Sequence, residues 1–343
     1  MSGGVDSSVA AASLLASGHT VTGVTLRLWG GESDSGCCSV GDVEDARQVA
    51  AQLGIDHHVF NMSDEFEEHV VRPYVDDHAA GLTPNPCVEC NRHLKFDALL
   101  SAAHRLGFDR LATGHHARVR ASGSRADLCR GVDDAKDQSY VLSMLTAEQL
   151  SSILLPVGEM TKDEVRRLAT DLGLETAGKP ESQDTCFISS TIGRRGFLDQ
   201  RTTLHPGRVI DRDSGADLGT VDAVELVTVG QRRGLGVDAD GTRRVAVAVD
   251  TVARTVAVAS PDRSLVDEVR IDPSTQTWTG APIEEGHDVL VQLRAHAPSV
   301  AARFTAGRLI LAGPIDPVAP GQTAAFYDVA DPVVVRGSAV VAR

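Results

Sequence analysis

Two features that would place a chain in or beyond a membrane are missing from this sequence. No apolar run is long enough to span a bilayer, and the amino terminus lacks the basic, apolar and small-residue series of a signal peptide. These absences argue against the transmembrane and secreted classes. We therefore expect a cytoplasmic protein that does not bind a membrane.

Cysteine and positive charge are also scarce. Six cysteines in 343 residues, in a reducing compartment, do not indicate a disulfide framework, which leaves catalysis, redox chemistry, metal binding or simple burial as their roles. Lysine and arginine total 33 against 47 acidic residues, so the formal net charge is −14. This charge argues against a general nucleic-acid binder but leaves room for a local basic face.

Length and patterning predict two or three domains, the first of the α/β class. Apolar residues make up 42% of the chain, enough for a sizeable core. Helical patterns over 7–17, 42–53 and 87–107 alternate with short strand patterns over 20–28, 55–62 and 108–116. This alternation predicts a doubly wound parallel sheet, whose ligands bind at the carboxyl ends of the strands.

The pattern changes near residue 200. Short alternating runs such as RRVAVAVDTVARTVAVAS and VVVRGSAVVAR, separated by turn residues, predict an all-β half of two small units. A break falls near Pro261. We predict a catalytic domain over 1–200, a central β-rich domain over 201–262 and a C-terminal domain over 263–343.

The chain opens on MSGGVDSSVAA, a glycine and hydroxyl turn that runs into an apolar helix. Glycines let the backbone approach an anion, and serine hydroxyls with the N–H groups of a helix start bind phosphate oxygens. The pattern lacks the Gly-Lys-Ser/Thr end of a Walker loop. It resembles the PP-loop of ATP pyrophosphatases, which cleave ATP between the α and β phosphates. A glycine turn with a serine cap and no ligand is the alternative.

Such a loop normally follows a β-strand, whereas here only Met1 precedes it. We therefore expect the sheet to lack its central strand. A misassigned start codon or a trimmed sequence would explain this better than a real deletion, which would leave the loop poorly anchored.

Cys87 and Cys90 lie at a predicted helix start. In TPNPCVECNRHLKF two prolines precede them, and proline is favourable at a first helical position. The helix dipole lowers the pKa of thiols in the first turn. A CxxC on its own indicates a zinc half-site, a redox pair or two core residues. Cys186, in ESQDTCFIS, is a third thiol, for which burial in the core is the alternative to chemistry.

Nine motifs carry a family resemblance over nearly the whole chain. In order they are MSGGVDSSVA, CCSVGDVEDAR, TPNPCVECNRHLKF, LATGHHAR, DAKDQSYVL, LPVGEMTKDEVR, ESQDTCFIS, VGQRRGLGV and PGQTAAFYD. Together they resemble bacterial tRNA-specific 2-thiouridylases of the PP-loop superfamily, in a CxxC variant. The resemblance implies a PP-loop α/β domain followed by two small, mostly β domains, the last a β-barrel.

The resemblance also implies the reaction. Members of this family are tRNA-uridine 2-sulfurtransferases: ATP adenylates O2 of the wobble uridine with release of pyrophosphate, and sulfur then displaces AMP. By resemblance, Cys186 carries a persulfide and Cys90 is the nucleophile, and the two end as a transient Cys90–Cys186 disulfide. Thiol–disulfide exchange favours an attacking thiolate with a pKa near ambient pH. ATP and Mg²⁺ are the implied cofactors. The implied partners are the wobble-uridine tRNAs for lysine, glutamate and glutamine and a sulfur donor such as a cysteine desulfurase or relay protein.

Binding residues follow from the resemblance by position. The implied ATP-binding residues are Ser2, Gly3, Gly4, Val5, Asp6, Ser7, Ser8, Leu26 and Gly114. The implied tRNA-binding residues are Asn85, Pro86, Cys87, His115, Lys136, Asp137, Gln138, Arg294, Ala295 and Gln322, of which the first three would face the target base. For His115, a strand-end histidine bound to backbone is the alternative. At Ala295 the family often has an aromatic residue, so a stacking role there is lost. We expect Cys37, Cys38 and Cys129 to be structural.

Cys87 departs from the common family pattern. Many members have aspartate there, proposed as an acid–base group, and cysteine does not inherit that role. Cys87, Cys90 and Cys186 together also offer three ligands for a [4Fe–4S] cluster with one open iron. We rank persulfide chemistry above the cluster.

Arginines concentrate around the junction of the two halves. They are Arg166, Arg167, Arg194, Arg195, Arg201, Arg232, Arg233, Arg243 and Arg244. A solvated surface is one interpretation, and a stripe that follows RNA phosphates is the other.

Two other functions remain open at this stage. One is a PP-loop amidating ligase acting on a small molecule, and the other is a catalytically silent tRNA-binding or sulfur-relay protein. Pyrophosphate release that depends on tRNA would separate them from a thiouridylase.

Overall fold

The computed structural model describes residues 1–28, 40–123, 125–180, 185–189, 191–238, 241–305 and 307–343. Helices are numbered in chain order. They are α1 Val5–Ala16, α2 Val40–Leu53, α3 Ser63–Phe66, α4 Arg72–Ala79, α5 Pro86–Glu89, α6 Leu100–Arg105, α7 Ser139–Leu142, α8 Ala147–Leu150, α9 Lys162–Asp171, α10 Gly193–Asp199 and α11 Pro261–Ser264. Two π-helical segments, Glu67–Val71 and Cys90–Leu99, and two 3₁₀ segments, Glu175–Gly178 and Val224–Leu226, complete the helical structure of the described residues. None of these helices is long and apolar enough to cross a membrane.

The strands fall into two sets, one in each half of the chain. They are β1 Gly23–Arg27, β2 His57–Asn61, β3 Leu111–Ala112, β4 Ala117–Ser122, β5 Arg125–Arg130, β6 Ile153–Leu154, β7 Gly207–Asp211, β8 Asp217–Val221, β9 Val245–Asp250, β10 Thr255–Ala259, β11 Val266–Trp278, β12 Asp288–Gln292, β13 Val300–Thr305, β14 Arg308–Ile315, β15 Thr323–Tyr327 and β16 Val335–Val341.

The predicted parallel α/β fold of the first half is confirmed. Strands β1 and β2 pair in parallel, as do β3 and β6, and helices alternate with them along the chain. Both β1 and β3 lead towards the opening loop, and the two pairs border a cavity of about 680 Å³. Met1 lies beside β1, where its amino group donates to Val24 O and its carbonyl accepts from Thr25 Oγ1 at 2.6 Å.

The predicted β half is confirmed as well, including the terminal barrel. Strands β8, β7, β10 and β9 form a four-stranded sheet, and β11, β14, β13, β12, β15 and β16 close into a barrel. The short helix α11 lies between the sheet and the barrel.

One hairpin of the first half joins it to the barrel. Strands β4 and β5 pair antiparallel, and Arg130 N at the end of β5 donates to Val333 O at 2.8 Å. Val88 and Tyr140 from the first half share a buried apolar cluster with Ala325 and Tyr327 of β15. The barrel and the α/β domain therefore have a common core. The sequence patterns did not predict this hairpin.

The helix predicted over 87–107 is continuous from Pro86 to Arg105 but is not uniform. It starts as α5, widens into the π-helical segment at Cys90 and ends as α6. We call the whole of Pro86–Arg105 the cysteine helix. π-helical turns are rare and occur frequently at functional sites, and this one begins at a cysteine.

His78 predicts a pH dependence of stability. Burial and the nearby Arg194 lower its pKa to about 4, although a hydrogen bond to the Glu225 backbone raises it. Between pH 6.5 and 4 the unfolded chain therefore binds a proton that the folded protein does not, so stability falls as pH falls through this range. From pH 7.5 to 5 we expect His78 to cost about 2 kcal/mol of unfolding free energy.

Urea unfolding at the two pH values tests this expectation. His78→Gln keeps a polar side chain but removes the titration, so the variant should lose measurably less stability than the wild type over the same range. An identical loss in both proteins would show that the pH dependence comes from other groups.

Candidate active site and RNA-binding residues

The opening loop is held by its own serines and by one close backbone approach. Ser7 Oγ accepts from Ser2 N at 3.0 Å and donates to Gly4 O at 3.1 Å, and Ser8 Oγ donates to Gly4 O at 2.9 Å. Gly3 has φ +69°, and a Cβ there would lie 2.4 Å from Asp42 O. The loop therefore requires glycine at this position, and it presents the start of α1, with Val5 as first helical residue, to the cavity.

The cavity brings together most of the residues predicted to bind ATP. Its lining includes Ser2, Asp6 and Ser7 from the loop, Leu26 from β1 and Gly114 after β3. Gly114 packs so tightly that a Cβ on it would lie 2.6 Å from Ser7 N and 2.7 Å from the Asp6 carbonyl carbon. The loop and the end of β3 thus form one wall. A loop of glycines and serines at the start of a helix, beside a partly apolar cavity, is suited to a nucleotide.

Asp6 forms an ion pair that the sequence did not predict. Lys162 Nζ lies 2.7 Å from both carboxylate oxygens, and His116 Nε2 lies 3.1 Å from Oδ1. Burial raises the pKa of Asp6, but the hydrogen bonds from His116 and Lys162 outweigh burial and lower it overall. Asp6 is therefore ionised at neutral pH, with its charge balanced by Lys162 from helix α9. The motif LPVGEMTKDEVR contains Lys162, but a lysine in a first helical turn is ordinarily solvated, so the sequence carried no clear signal.

Asn85 begins the cysteine helix. Its Oδ1 accepts from Cys87 N at 3.2 Å and from Val88 N at 3.4 Å, which is an N-cap. Pro86 occupies the first helical turn. Cys87 is exposed and Cys90 is buried, with 8% of its surface accessible. The predicted helix start before the two cysteines is confirmed.

Cys90 and Cys186, distant in sequence, both contribute to one apolar cluster. Cys90 belongs to the cluster, and the half-buried Cys186 packs against it. Phe187, next to Cys186, is anchored there by edge contacts with Phe66 and Tyr74 at centroid distances of 5.6 and 5.3 Å. The cysteine helix and the segment around Cys186 therefore have a common packing surface.

Lys179, which follows the 3₁₀ segment Glu175–Gly178, is tied to helix α2. Its Nζ contacts Asp42 Oδ1 at 2.6 Å and Asp45 Oδ2 at 2.5 Å. Burial lowers the pKa of Lys179, but the hydrogen bonds to Asp42 and Asp45 raise it overall. The chain at Lys179 is thus anchored near Gly3, whose Cβ position lies against the backbone of Asp42.

Cys129 lies on strand β5, which pairs with β4. Cys129 is buried, and burial raises the pKa of its thiol, which agrees with the structural role expected for it. Cys37 and Cys38 lie outside the described residues. Within the described ranges, no three His, Cys, Asp or Glu side chains are grouped as metal ligands.

The residues predicted to bind tRNA fall into an α/β group and a barrel group. His115 and Gln138 line the cavity with the ATP-side residues. Burial, with Lys95 and His116 nearby, lowers the pKa of His115 well below its usual range, so the ring is neutral. Its Nδ1 lies 2.8 Å from Thr113 Oγ1. The alternative for His115 was a ring bound to the backbone. In the structure the ring nitrogen instead has a side-chain partner, Thr113.

The other α/β residues of this set form a loop with internal contacts. Asp137 accepts from Arg130, Gly131 and Ser139 at 2.8–3.0 Å, and Gln138 Oε1 accepts from His116 N at 2.8 Å. Lys136, next to them, is half-buried. Asp137 thus fixes the shape of this loop, and contact between RNA and its side chain stays a prediction.

In the barrel, Arg294 is exposed and donates to Pro317 O at 2.8 Å, and half-buried Ala295 packs on the core shared by the domains. Gln322 Nε2 donates to Thr83 O at 2.5 Å. The amide of Gln322 therefore contacts the α/β domain, close to the start of the cysteine helix.

Several arginines of the predicted stripe have partners within the protein. Arg166 donates to Ala177 O and Lys179 O, and Arg194 donates to Leu226 O. Arg232 pairs with Asp316, and Arg244 pairs with Asp211 and Asp238. Internal pairing lowers the number of charges offered to RNA, so the stripe is weaker than a count of arginines indicates.

Comparison with known proteins agrees with the architecture. Residues 1–190 match the family model described as tRNA methyl transferase HUP domain, and residues 195–260 match the tRNA methyl transferase PRC-barrel domain. A protein of Roseiflexus castenholzii is 42% identical over 100% of this chain and 98% of its own length. A protein of Chloroflexus aggregans is 45% identical over 96% of this chain and 94% of its own length. A protein of Thermobifida fusca is 43% identical over 100% of this chain and 94% of its own length. All three relatives are named tRNA-specific 2-thiouridylase MnmA.

Proposed function

This chain belongs to the tRNA-specific 2-thiouridylase family, and on that premise we propose that it replaces O2 of the wobble uridine of tRNA with sulfur in an ATP-dependent reaction. The matching domain models are named for methyl transfer, whereas the curated relatives are named for thiolation. A pyrophosphate-binding loop and cysteines at one cluster support the thiolation chemistry.

ATP serves to make the uridine oxygen a leaving group. Uridine O2 attacks the α-phosphorus, the bond to the β-phosphate oxygen breaks, and pyrophosphate leaves as the N3 proton is lost. The loop residues Gly3 and Gly4 fit the phosphates, and Leu26 with Gly114 fits the adenosine side of the cavity. The loop hydroxyls would be oxygen ligands for Mg²⁺, and the ion would neutralise phosphate charge.

The sulfur step requires two thiols. The outer sulfur of a Cys186 persulfide attacks C2 and expels AMP, which leaves uridine joined to Cys186 through a disulfide bond. The Cys90 thiolate then attacks Sγ of Cys186, so that the C2–S pair of electrons remains on the product as 2-thiouridine. Alternatively, Cys90 attacks Cys186 first and releases the outer sulfur as sulfide, which then displaces AMP. Both routes oxidise two thiols to a disulfide, and a thiol reductant must restore them.

The observation that carries this proposal is the packing of Cys90 and Cys186 on one apolar cluster. Cys90 lies at the start of a π-helical segment and is buried, whereas Cys186 lies in the turn at Thr185–Ile188 and is half-buried. Partners of the proposed reaction are the wobble-uridine tRNAs for lysine, glutamate and glutamine and a protein that donates persulfide sulfur.

Nucleoside mass spectrometry tests the function directly. Purified protein is incubated with tRNA, Mg-ATP and a sulfur source, and pyrophosphate is measured in parallel. We expect 2-thiouridine derivatives at the wobble position and pyrophosphate release that depends on tRNA. An amidating ligase would release pyrophosphate without tRNA, and a silent binding or relay protein would release none.

A separate measurement tests the cluster mechanism. Iron and acid-labile sulfide are determined in protein purified without oxygen, as wild type and as Cys87→Ser. We expect no stoichiometric iron in either protein. Stoichiometric iron that is lost in Cys87→Ser would contradict the persulfide proposal and favour the cluster.

Binding of tRNA is expected to weaken with salt. Because internal partners occupy several arginines, we expect a moderate slope, with affinity falling roughly tenfold to a hundredfold between 50 and 200 mM salt. Filter binding over this range measures the slope. A flat response would show that phosphate contacts contribute little.

A further inference from the structure

A turn of the barrel holds the segment that leads into the cysteine helix. We call residues 319–322 the barrel turn. Thr83 N donates to Pro320 O at 2.7 Å, and Gln322 Nε2 donates to Thr83 O at 2.5 Å. Both backbone polar groups of Thr83, two residues before the N-cap Asn85, are therefore bound by the barrel.

Gly321 permits this close approach. Its φ is +90°, and a Cβ there would lie 3.0 Å from Thr83 N and 3.2 Å from Leu82 Cβ. The backbone conformation and the narrow space both favour glycine. The barrel turn thus fits against the segment of Leu82 and Thr83 in one defined position.

Contacts continue from the barrel to the first turn of the cysteine helix. Tyr140 OH donates to Thr323 O at 2.8 Å, and the Asn85 side chain hydrogen-bonds to Tyr140. Val88, between the two cysteines, packs in the same buried cluster as Ala325 and Tyr327 of β15. The helix start is therefore fixed to the barrel through the backbone of Thr83, through Tyr140 and through Val88.

We propose that the barrel turn positions the Cys90 nucleophile, and that Gln322 acts on the reaction through Thr83 as a positioning residue. The role of Cys90 in this statement rests on the proposed function. The family resemblance implies that Gln322 contacts tRNA, whereas the amide donor observed here is directed to the protein. A barrel that binds RNA and also fixes the helix start would hold the target base and the nucleophile in a constant position relative to each other.

Alkylation of Cys90 tests the positioning without any substrate. Gln322→Met keeps the length of the side chain but removes the donor to Thr83 O. In the full chain without tRNA or ATP, iodoacetamide modification is followed for each cysteine peptide by mass spectrometry. Cys90 is buried and opens only through local fluctuation, so we expect its rate to rise about tenfold in the variant. Cys87, already exposed, is the internal reference.

The same variant separates positioning from RNA contact in the reaction. We expect kcat for thiolation to fall about tenfold and the Kd for tRNA to stay within about twofold of wild type. Gln276→Met, a change of the same kind on strand β11, is the matched control and should move neither value. Gln322→Glu, which also lacks the donor at neutral pH, is a second variant expected to behave as Gln322→Met does.

An unchanged ratio of Cys90 to Cys87 alkylation in both variants would overturn the proposal. A tenfold weaker Kd for tRNA with an unchanged ratio would show that Gln322 is an RNA contact. These results are independent of the proposed function, because the protection of Cys90 is measured in the absence of substrates. A wild-type protein that does not thiolate tRNA would overturn the function and leave the protection result standing.

Discussion

Cys186→Ala is expected to abolish tRNA thiolation, while the rate of tRNA-dependent pyrophosphate release in the first turnover stays within about twofold of the wild type. The alanine variant cannot hold a persulfide, so the activated uridine receives no sulfur. The phosphate loop and the cavity are formed by other segments of the α/β domain and remain intact. We expect thiolated product to fall by at least about 1,000-fold, since a covalent carrier has no substitute in the site.

The two measurements are made on the same reaction mixtures, by nucleoside mass spectrometry and by a pyrophosphate assay. Cys129→Ala is the matched control, because it removes a cysteine that is buried away from the apolar cluster of Cys90. The control should retain thiolation close to the wild-type rate when its folding is verified by thermal unfolding. Thiolation by Cys186→Ala at more than a few per cent of the wild-type rate would contradict the persulfide role.

Gly114→Ala should instead impair both steps. We expect the rates of pyrophosphate release and of thiolation each to fall by about 100-fold. Gly114 is outside the left-handed region of backbone conformation, so the added methyl group acts through contact alone. It would lie 2.6 Å from Ser7 N, and the loop must shift to make room. A displacement of about 1 Å in a positioned reactant costs on the order of 100-fold in rate.

Gly178→Ala provides the control for this substitution. Gly178 lies in the same domain, and a Cβ there would meet no atom within 4 Å. Its pyrophosphate release should match that of the wild type. Release by Gly114→Ala within threefold of this control would show that the loop does not bind the reacting phosphates of ATP.

The sequence was most informative about local structure and about residues that occur together in motifs. The alternating pattern before residue 200 predicted parallel strands, which the pairs β1–β2 and β3–β6 confirm. The two prolines before Cys87 predicted the helix start, which the structure confirms, with Asn85 as its cap. Short-range preferences of backbone and side chain decide such features, so they are visible without a fold.

Contacts between distant segments were not visible in the same way. No sequence pattern indicated the β4–β5 hairpin that joins the barrel, the Asp6–Lys162 pair or the π-helical turn at Cys90. A lysine, an arginine or a glutamine is usually solvated, and its sequence context does not show which partner burial will provide. The internal partners of the arginine stripe illustrate the same difficulty.

By itself the sequence determined the glycine turn, the α/β and β halves, and which three thiols were candidates for chemistry. Only the tertiary structure decided that Cys90 and Cys186 pack on one apolar cluster and that the barrel holds Thr83 beside the cysteine helix. The physical reason is range. Turn and helix preferences act over a few residues, whereas these contacts depend on how the domains pack around a shared core, which no local pattern specifies.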